Sequence, residues 1–305
     1  MTFRNDKRCL RTCVIFIVIN VFPSYLGAAD GQSSSLCHVF DVQEAAQQGD
    51  AAAPQERPEN GTVAADSIAE APAEKPWSLT LDITYSDKYI WHGAVYNEDP
   101  VIWPSLAFSY YGLTATVWAS LETANCGNCD EDTDTAGKFT EVDLTLDYEW
   151  SWEPVNFSVG ASNYRYPNTV SAATTELYVT LGLDDWLAPT LAVYHDIDEV
   201  DGTYASLAIR HAFEELWKFN AAGAVSLDVA ASVGYGSANY NEYYYGLEKT
   251  AAADFTCSAA MAIPWGEHWT LSPSINYAML LDHDVREVLT DDDNAWFALS
   301  LTWTY

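Results

Sequence analysis

From Ala295 to Tyr305 apolar and polar positions alternate without a break. Phe297, Leu299, Leu301, Trp303 and Tyr305 fall on one face of an extended strand, and Ala298, Ser300, Thr302 and Thr304 on the other. A period of two rich in β-branched and aromatic residues predicts a strand. In water, a wholly apolar outer face is an exposed patch that invites association, whether at a sandwich edge or elsewhere. In a bilayer it is the lipid side of a barrel wall.

The same period begins at Trp77. Trp77, Leu79, Leu81, Ile83, Tyr85, Tyr89 and Trp91 share one face of a first strand, against Ser78, Thr80, Asp82, Thr84, Ser86 and Lys88. It recurs near 101–110, 113–122, 138–150, 155–166, 174–183, 187–196, 203–212, 225–235, 251–263, 269–279 and 295–305. The pattern therefore predicts about twelve strands, an even number, as closure with both ends on one side requires. Each is close to the roughly 9–11 residues of a tilted spanning strand. Tight connections (Tyr111-Gly112, Ser151 to Pro154, Asp184 to Trp186, Ile263 to His268) alternate with longer, acidic ones at 93–100, 123–137, 167–173, 197–202, 236–250 and 280–294. Phe213 to Ala224 is the one longer connection at the tight end. Short turns inside and long loops outside is the outer-membrane arrangement. Aromatics fall at two levels, as interfacial girdles do. Trp77, Tyr110, Trp150, Trp269, Trp303 and Tyr305 lie at the turn end, and Tyr89, Trp91, Tyr235 and Tyr277 at the loop end.

Totals sharpen this picture. Acidic residues outnumber basic ones 44 to 13, with no basic cluster beyond the first eleven residues, which argues against a nucleic-acid surface. After residue 22 no apolar run reaches the roughly 20 residues of a spanning helix. A membrane-spanning chain of this kind must be a closed barrel, because lipid offers backbone groups no other partner. Residues 1–29 read as a signal peptide: Arg4, Lys7, Arg8 and Arg11, an apolar core from Cys13 to Phe22, and small residues at Gly27-Ala28-Ala29. Cleavage removes four basic residues and one acid, leaving 9 against 43 and a formal charge of −34. Residues 30–76, rich in Ala, Gln, Glu and Pro, read as a disordered periplasmic linker ahead of a barrel at 77–305.

A resemblance becomes specific at Tyr85-Ser86-Asp87-Lys88-Tyr89-Ile90-Trp91-His92-Gly93, followed by Pro104-Ser105-Leu106 and Val117-Trp118-Ala119-Ser120. Thr140-Glu141-Val142-Asp143, Tyr164-Arg165-Tyr166-Pro167 and Thr175-Glu176-Leu177-Tyr178 continue the series. The chain here resembles the conserved-hypothetical bacterial outer-membrane family labelled Gcw_chp, over about residues 80–210. Members open with a strand ending in an aromatic–Arg–Gly step, where this chain has Trp91-His92-Gly93, so a role tied to that Arg does not transfer. The terminal stretch resembles the closing strand of outer-membrane barrels, whose final aromatic marks the chain for insertion, with Tyr305 where Phe is commoner. The resemblance implies outer-membrane lipid and the barrel assembly machinery as partners. It implies no activity, and a fold does not supply one.

The phase that turns apolar residues to lipid sends Asp82, Glu122, Glu141, Asp143, Asp147, Glu149, Glu176, Asp196, Asp228 and Asp254 into the lumen, with only Lys88 and Arg210 as fixed positive charges. Such a lining concentrates cations. Cys126 and Cys129 sit two residues apart in an acidic loop. Without a second pair or a nearby His they lack the four ligands of a zinc site, and in an oxidising compartment they read as a local disulfide. The Asp runs at 130–134 and 291–293 and Asp282-His283-Asp284 offer carboxylates to divalent cations, without EF-hand spacing. No Gly-x-Ser-x-Gly occurs, and His92 has Ser300 well below it on the closing strand, so no catalytic set, metal centre or cofactor is read. The expected function is a porin-like channel for passive diffusion of small solutes or ions, preferring cations. The alternatives are an outer-membrane lipid or surface hydrolase, with a Ser and a carboxylate converging on His92, and a closed structural or adhesive barrel with acidic binding loops.

Overall fold

The computed structural model describes residues 76–125, 134–220, 223–289 and 293–305. The stretches expected as signal peptide (1–29) and, but for Pro76, as linker (30–76) lie outside the described residues, as do Cys126 and Cys129. Twelve antiparallel strands close into a barrel. They are β1 (Trp77–Ser86), β4 (Val101–Tyr110), β5 (Leu113–Glu122), β6 (Phe139–Trp152), β7 (Val155–Arg165), β8 (Thr174–Leu183), β9 (Thr190–Asp196), β10 (Thr203–Asn220), β11 (Gly223–Gly236), β12 (Ala251–Trp265), β13 (Trp269–Leu280) and β14 (Asp293–Thr304). Two short strands, β2 (Tyr89–Trp91) and β3 (Ala94–Asn97), pair with each other and stand apart from the wall. Among the described residues two helices interrupt the long loops, α1 (Ala238–Tyr245) and α2 (His283–Val288).

Closure runs through β1 and β14, from Ser86↔Ala298 to Thr80↔Thr304. It is extended by reciprocal backbone bonds of 3.0 Å between Leu79 and Tyr305. The alternation read from the sequence sorts the side chains. Leu81, Ile83, Leu106, Phe108, Leu144, Leu146, Val179, Leu207 and Ile275 are exposed on the outside, while Thr80, Asp82, Thr84, Thr116, Thr145, Ser162 and Ser206 are buried inside. An apolar outside around a polar inside inverts the soluble pattern, and it fits a wall that faces lipid. At the turn end Trp77 packs on Tyr305 with ring centroids 5.4 Å apart, and Trp150 stacks on Phe157 at 5.3 Å. With Tyr110 and Trp269, both exposed, and Trp303 stacked on Tyr305, these make the lower girdle. The loop-end level carries Tyr85, Phe139, Tyr235 and Phe297, all exposed.

Four expectations are corrected. The first strand does not run through to Trp91; it ends at Ser86. Asp87 closes the ladder with its own atoms, Asp87 N–H to Phe297 O at 3.1 Å and Phe297 N–H to Asp87 Oδ1 at 2.9 Å, and Ser86 Oγ bonds Lys88 O. The chain then turns inward, so Tyr89 and Trp91 belong to the lumen and not to the girdle. Second, β9 starts at Thr190, because residues 184–189 form the turn and Pro189 has no N–H to offer a ladder. Third, the stretch from Phe213 to Ala224 is largely strand: β10 and β11 keep pairing to Asn220↔Gly223 through register shifts after Phe213 and Lys218. Fourth, the loops at 93–100, 236–250 and 280–294 hold β3, α1 and α2.

Deleting Trp303, Thr304 and Tyr305 removes the last closing pairs and both Leu79–Tyr305 bonds. A backbone group left unpaired in hydrocarbon costs several kcal/mol, on the order of the desolvation penalty for a buried amide. The truncated chain is expected to lose heat-modifiable migration on gels; unchanged migration would show that closure does not depend on these residues.

Candidate functional site

The inner wall is acidic and hydroxyl-rich. Asp82, Glu122, Glu141, Asp143, Asp147, Glu176, Asp196 and Asp254 are buried on it, and Glu149, Arg210 and Asp228 are half-buried. Their partners are mostly neutral. Asp82 accepts from Thr84 at 2.8 Å and Thr302 at 2.7 Å, and Asp147 from Ser158 at 2.6 Å and Tyr178 at 3.1 Å. Glu141 accepts from Tyr89 at 2.6 Å, Glu176 from Tyr164 at 2.9 Å and Asp254 from Tyr204 at 2.8 Å. Each such bond to a charged acceptor contributes roughly 1.5–3 kcal/mol. Arg210 pairs with Asp228 near the turn end, while Lys88 reaches Asn294 Oδ1 at 3.2 Å. Tyr178 lies so close to Gly160 that a Cβ there would overlap its ring, which is why a strand interior carries glycine at this point.

The loop-side half of the lumen is filled. Trp91↔Ala94 closes β2 and β3 across His92 and Gly93, with φ of 43° and 82°. Two positive values are what a two-residue type I′ hairpin turn requires. The hairpin folds into the barrel and is held on several sides. Tyr89 bonds Glu141, and the Asn97 amide donates to Glu122. The His92 ring stacks on Tyr204 at 3.8 Å and its Nδ1 meets the Tyr240 hydroxyl. The Tyr245 hydroxyl donates to His92 O at 2.7 Å. Tyr240 and Tyr245 come from α1, which Ser237 caps at its start and Gly246, at φ 73°, at its end. Ala94, Tyr204, Tyr240, Tyr245, Ala253, Leu280 and Val285 make one buried cluster; Tyr89, Val101, Trp103 and Trp118 make another. Trp91 stacks on His92 at 4.2 Å, well inside the wall.

Below this plug the lining is small and wetter. Ser226, Ala230, Ser258, Ala260, Ser272, Ser274, Ser300 and Thr302 lie on the inner phase of β11 to β14 and are only half-buried. The lumen thus divides into an aromatic loop side and a hydroxyl-lined, acidic turn side.

Several sequence candidates do not come together. His92 meets tyrosine rings, whereas Ser300 lies on β14 bonded to Thr84 at 2.6 Å, so the two do not form a nucleophile–base pair. Asp282 and Asp284 are bridged by Lys249, whose Nζ lies 2.8 Å from Asp282 Oδ2 and 2.7 Å from Asp284 Oδ2, where a divalent ion would have to sit. That ammonium holds the Asp282 carboxyl below the usual carboxylate range. Asp130, Glu131 and Asp132, and Asp291 and Asp292, lie outside the described residues. Among the described residues, no three His, Cys, Asp or Glu side chains converge as a metal ion needs. Sequence reasoning missed the inward aromatics Tyr89, Tyr96, Trp103, Trp118, Tyr164, Tyr178 and Tyr204. Their signal was present, since Trp103, Trp118, Tyr164, Tyr178 and Tyr204 stand on the polar phase of their strands.

No family model matches the chain, and no curated protein matches it in sequence. Similar solved structures include the NanC porin, 11% identical over 73% of this chain and 98% of that one, with a TM-score of 0.42. An outer membrane channel from Pseudomonas putida F1 is 10% identical over 79% of this chain and 100% of that one, at 0.44. LpxR from Salmonella typhimurium is 8% identical over 73% and 99%, at 0.42. These are likenesses of barrel fold.

Two outcomes test the seating of the plug. A Cβ at Gly93 would lie 3.0 Å from both Asp254 Cβ and Leu280 Cδ2, and a left-handed residue other than Gly costs about 1–2 kcal/mol. Gly93→Val is therefore expected to speed maleimide labelling of a Cys placed at buried Ala94 by about tenfold or more; an unchanged rate would mean the hairpin stays seated. Burial above all pushes the Tyr96, Tyr240 and Tyr244 phenols up from their ordinary value. A raised phenol contributes fully below the unfolded value of about 10 and loses that contribution as pH rises through the folded one. Near-UV circular dichroism is expected to collapse above pH about 10 while the far-UV strand signal persists; simultaneous loss of both would contradict a separately seated plug.

Proposed function

We propose that this chain is an outer-membrane, porin-like channel that passes small cations by passive diffusion, narrowed on its loop side by the inward hairpin and α1. The carrying observation is the sign of the lining. Ten carboxylates face the lumen between Asp82 and Asp254, against Arg210, already paired with Asp228, and Lys88 at the rim. In a narrow tube with low-dielectric walls such an excess raises the local concentration of cations and repels anions. The half-buried hydroxyls of β11 to β14 give water and hydrated ions a polar surface to follow. Insertion by the barrel assembly machinery is part of the same reading, supported by the girdles and the closing strand, and membership of the Gcw_chp family is part of it on the strength of the motifs between Tyr85 and Tyr178.

The plug favours a second reading, a closed barrel whose acidic loops meet partners outside the cell. One experiment separates the two. Purified protein in a planar bilayer under a potassium chloride gradient is expected to show a cation-selective reversal potential, reduced when Asp143→Asn, Asp147→Asn and Glu149→Gln are combined. Anion selectivity in the parent, or no conductance at all, would overturn the channel reading. A cation preference untouched by the triple change would remove this stripe as its source.

A further inference from the structure

The loop-end girdle is not continuous around the wall. On β1, β6, β11 and β14 its level carries Tyr85, Phe139, Tyr235 and Phe297. From β7 to β10 the outward phase carries Asn163, Arg165, Thr175, His195 and Thr203 instead. The register sets them side by side: Asn163 faces Thr175, His195 faces Thr203, and Ile197 N–H bonds Thr175 O at 2.9 Å. Arg165 and His195 are exposed, and the other three are half-buried. Directly below, the same face is apolar again, with Leu144, Val159, Leu177 and Val179 exposed. Aromatic rings anchor a barrel at the headgroup level. A guanidinium, an amide, an imidazole and two hydroxyls in their place give that level specific hydrogen-bonding capacity instead.

Arg165 is also held in position. Asn163 Oδ1 accepts from Arg165 Nε at 2.8 Å, while Asn163 Nδ2 donates to Thr174 O at 3.1 Å and Thr175 Oγ1 at 3.0 Å. One amide thus ties the guanidinium to β8 and engages only its Nε. A second cation joins it. Asn168 Nδ2 donates to Phe139 O at 2.8 Å, which brings the turn after β7 onto the start of β6, where exposed Lys138 donates to the Asp134 carbonyl. Among the described residues Arg165 and Lys138 take part in no ion pair, whereas Arg210 and Lys249 do. In a chain with 44 acidic and 13 basic residues, two such cations on one stretch of rim mark a place for an anion from outside the chain. A guanidinium fork fits phosphate oxygens in pairs. On a lipid-facing strand its head is tolerated at the interface, which its long stem reaches.

We propose that the outward rim from β6 to β10 binds a phosphorylated glycolipid of the outer leaflet, its phosphate on Arg165 and Lys138, its sugar hydroxyls on Thr175, His195 and Thr203, and its acyl chains along Leu144, Leu177 and Val179. The setting fixes the occupant. The phase faces lipid, so the ligand is an amphiphile; the two cations call for phosphate; the row of hydroxyls and imidazole calls for a headgroup rich in hydroxyls. The site lies on the outer surface of the wall and is independent of whether the lumen conducts.

The test uses the full protein in a maltoside detergent, with native mass spectrometry of the complexes it forms with lipid A carrying two phosphates, dephosphorylated lipid A and phosphatidylglycerol. Phosphorylated lipid A is expected to be retained more tightly than either of the others. Arg165→Gln with Lys138→Gln is expected to weaken it by about tenfold or more, while Lys218→Gln, exposed at the turn end, leaves it unchanged. Thr175→Val with Thr203→Val is expected to weaken lipid A but not phosphatidylglycerol. Heat-modifiable migration checks that each variant is folded, and Arg165→Gln alone replaces the double variant should that fail the check. Equal retention of the dephosphorylated lipid or of phosphatidylglycerol overturns the proposal. So does full affinity in the folded Arg165 variant, or an equal loss in Lys218→Gln. Displacement of lipid A by equimolar inorganic phosphate assigns the cations to a free anion and overturns the lipid. Conductance of the same variants keeps the two readings apart, since a barrel that holds lipid A and never conducts loses only the channel, and one that conducts and ignores lipid A loses only this site.

Discussion

The backbone ladder between β1 and β14 is the constraint on which everything else in this protein depends. In hydrocarbon an amide has no solvent to fall back on, so a sheet that spans must close. Closure here is made by the two ends of the described wall, with Leu79 and Tyr305 exchanging bonds at 3.0 Å. Because Tyr305 completes the circle, neither the girdle nor the lumen is assembled until that final strand is in place. The apolar face of Leu299, Leu301 and Trp303 and the hydroxyl face of Ser300, Thr302 and Thr304 then take their opposite solvents together.

Closure creates a second problem inside. A twelve-strand wall encloses more space than its own side chains fill, and the two halves deal with it differently. On the turn side the chain uses small hydroxyl residues and leaves room. On the loop side it folds its own backbone inward, and the carboxylates of the wall become the seats for that insertion through Tyr89 and Asn97. A charge that a pore would use to attract cations thus also anchors the element that narrows it. The same Glu141 that defines the sign of the lumen fixes the position of its constriction.

The wall was legible in the sequence because a period of two has only two phases, and one of them is punished by lipid. Strand ends within a few residues, the turn-side girdle and the inward carboxylates all follow from that phase. What escaped detection did so for physical reasons. Counting by twos past Ser86 carried Tyr89 and Trp91 outward, yet Asp87 ends the ladder with its own side chain, a local event invisible to periodicity. His92-Gly93 is a turn only because both residues accept positive φ, and flanking strands of three and four residues are too short to show an alternation. The long-range partners of the hairpin, Tyr204 and Tyr240, lie more than a hundred residues away. No window along the chain brings them together.

The uneven height of the wall has a consequence of another kind. β10 pairs with β9 only from Thr203 to Ala208 and meets the preceding turn through Arg210 N–H to Leu187 O and His211 Nδ1 to Trp186 O, yet it runs on to Asn220 beside β11. A protein whose architecture abolishes free sheet edges therefore keeps one, at the turn end, on a ribbon that outruns its neighbour. Such edges recruit strands from other copies and seed aggregation. This one carries exposed Glu214, Glu215 and Lys218, and Glu215 at φ 51° falls in the irregularity that breaks the register. Charge and a kink are the devices by which soluble sheets keep their borders to themselves. A membrane barrel has adopted them where its rim leaves the protection of its own circle.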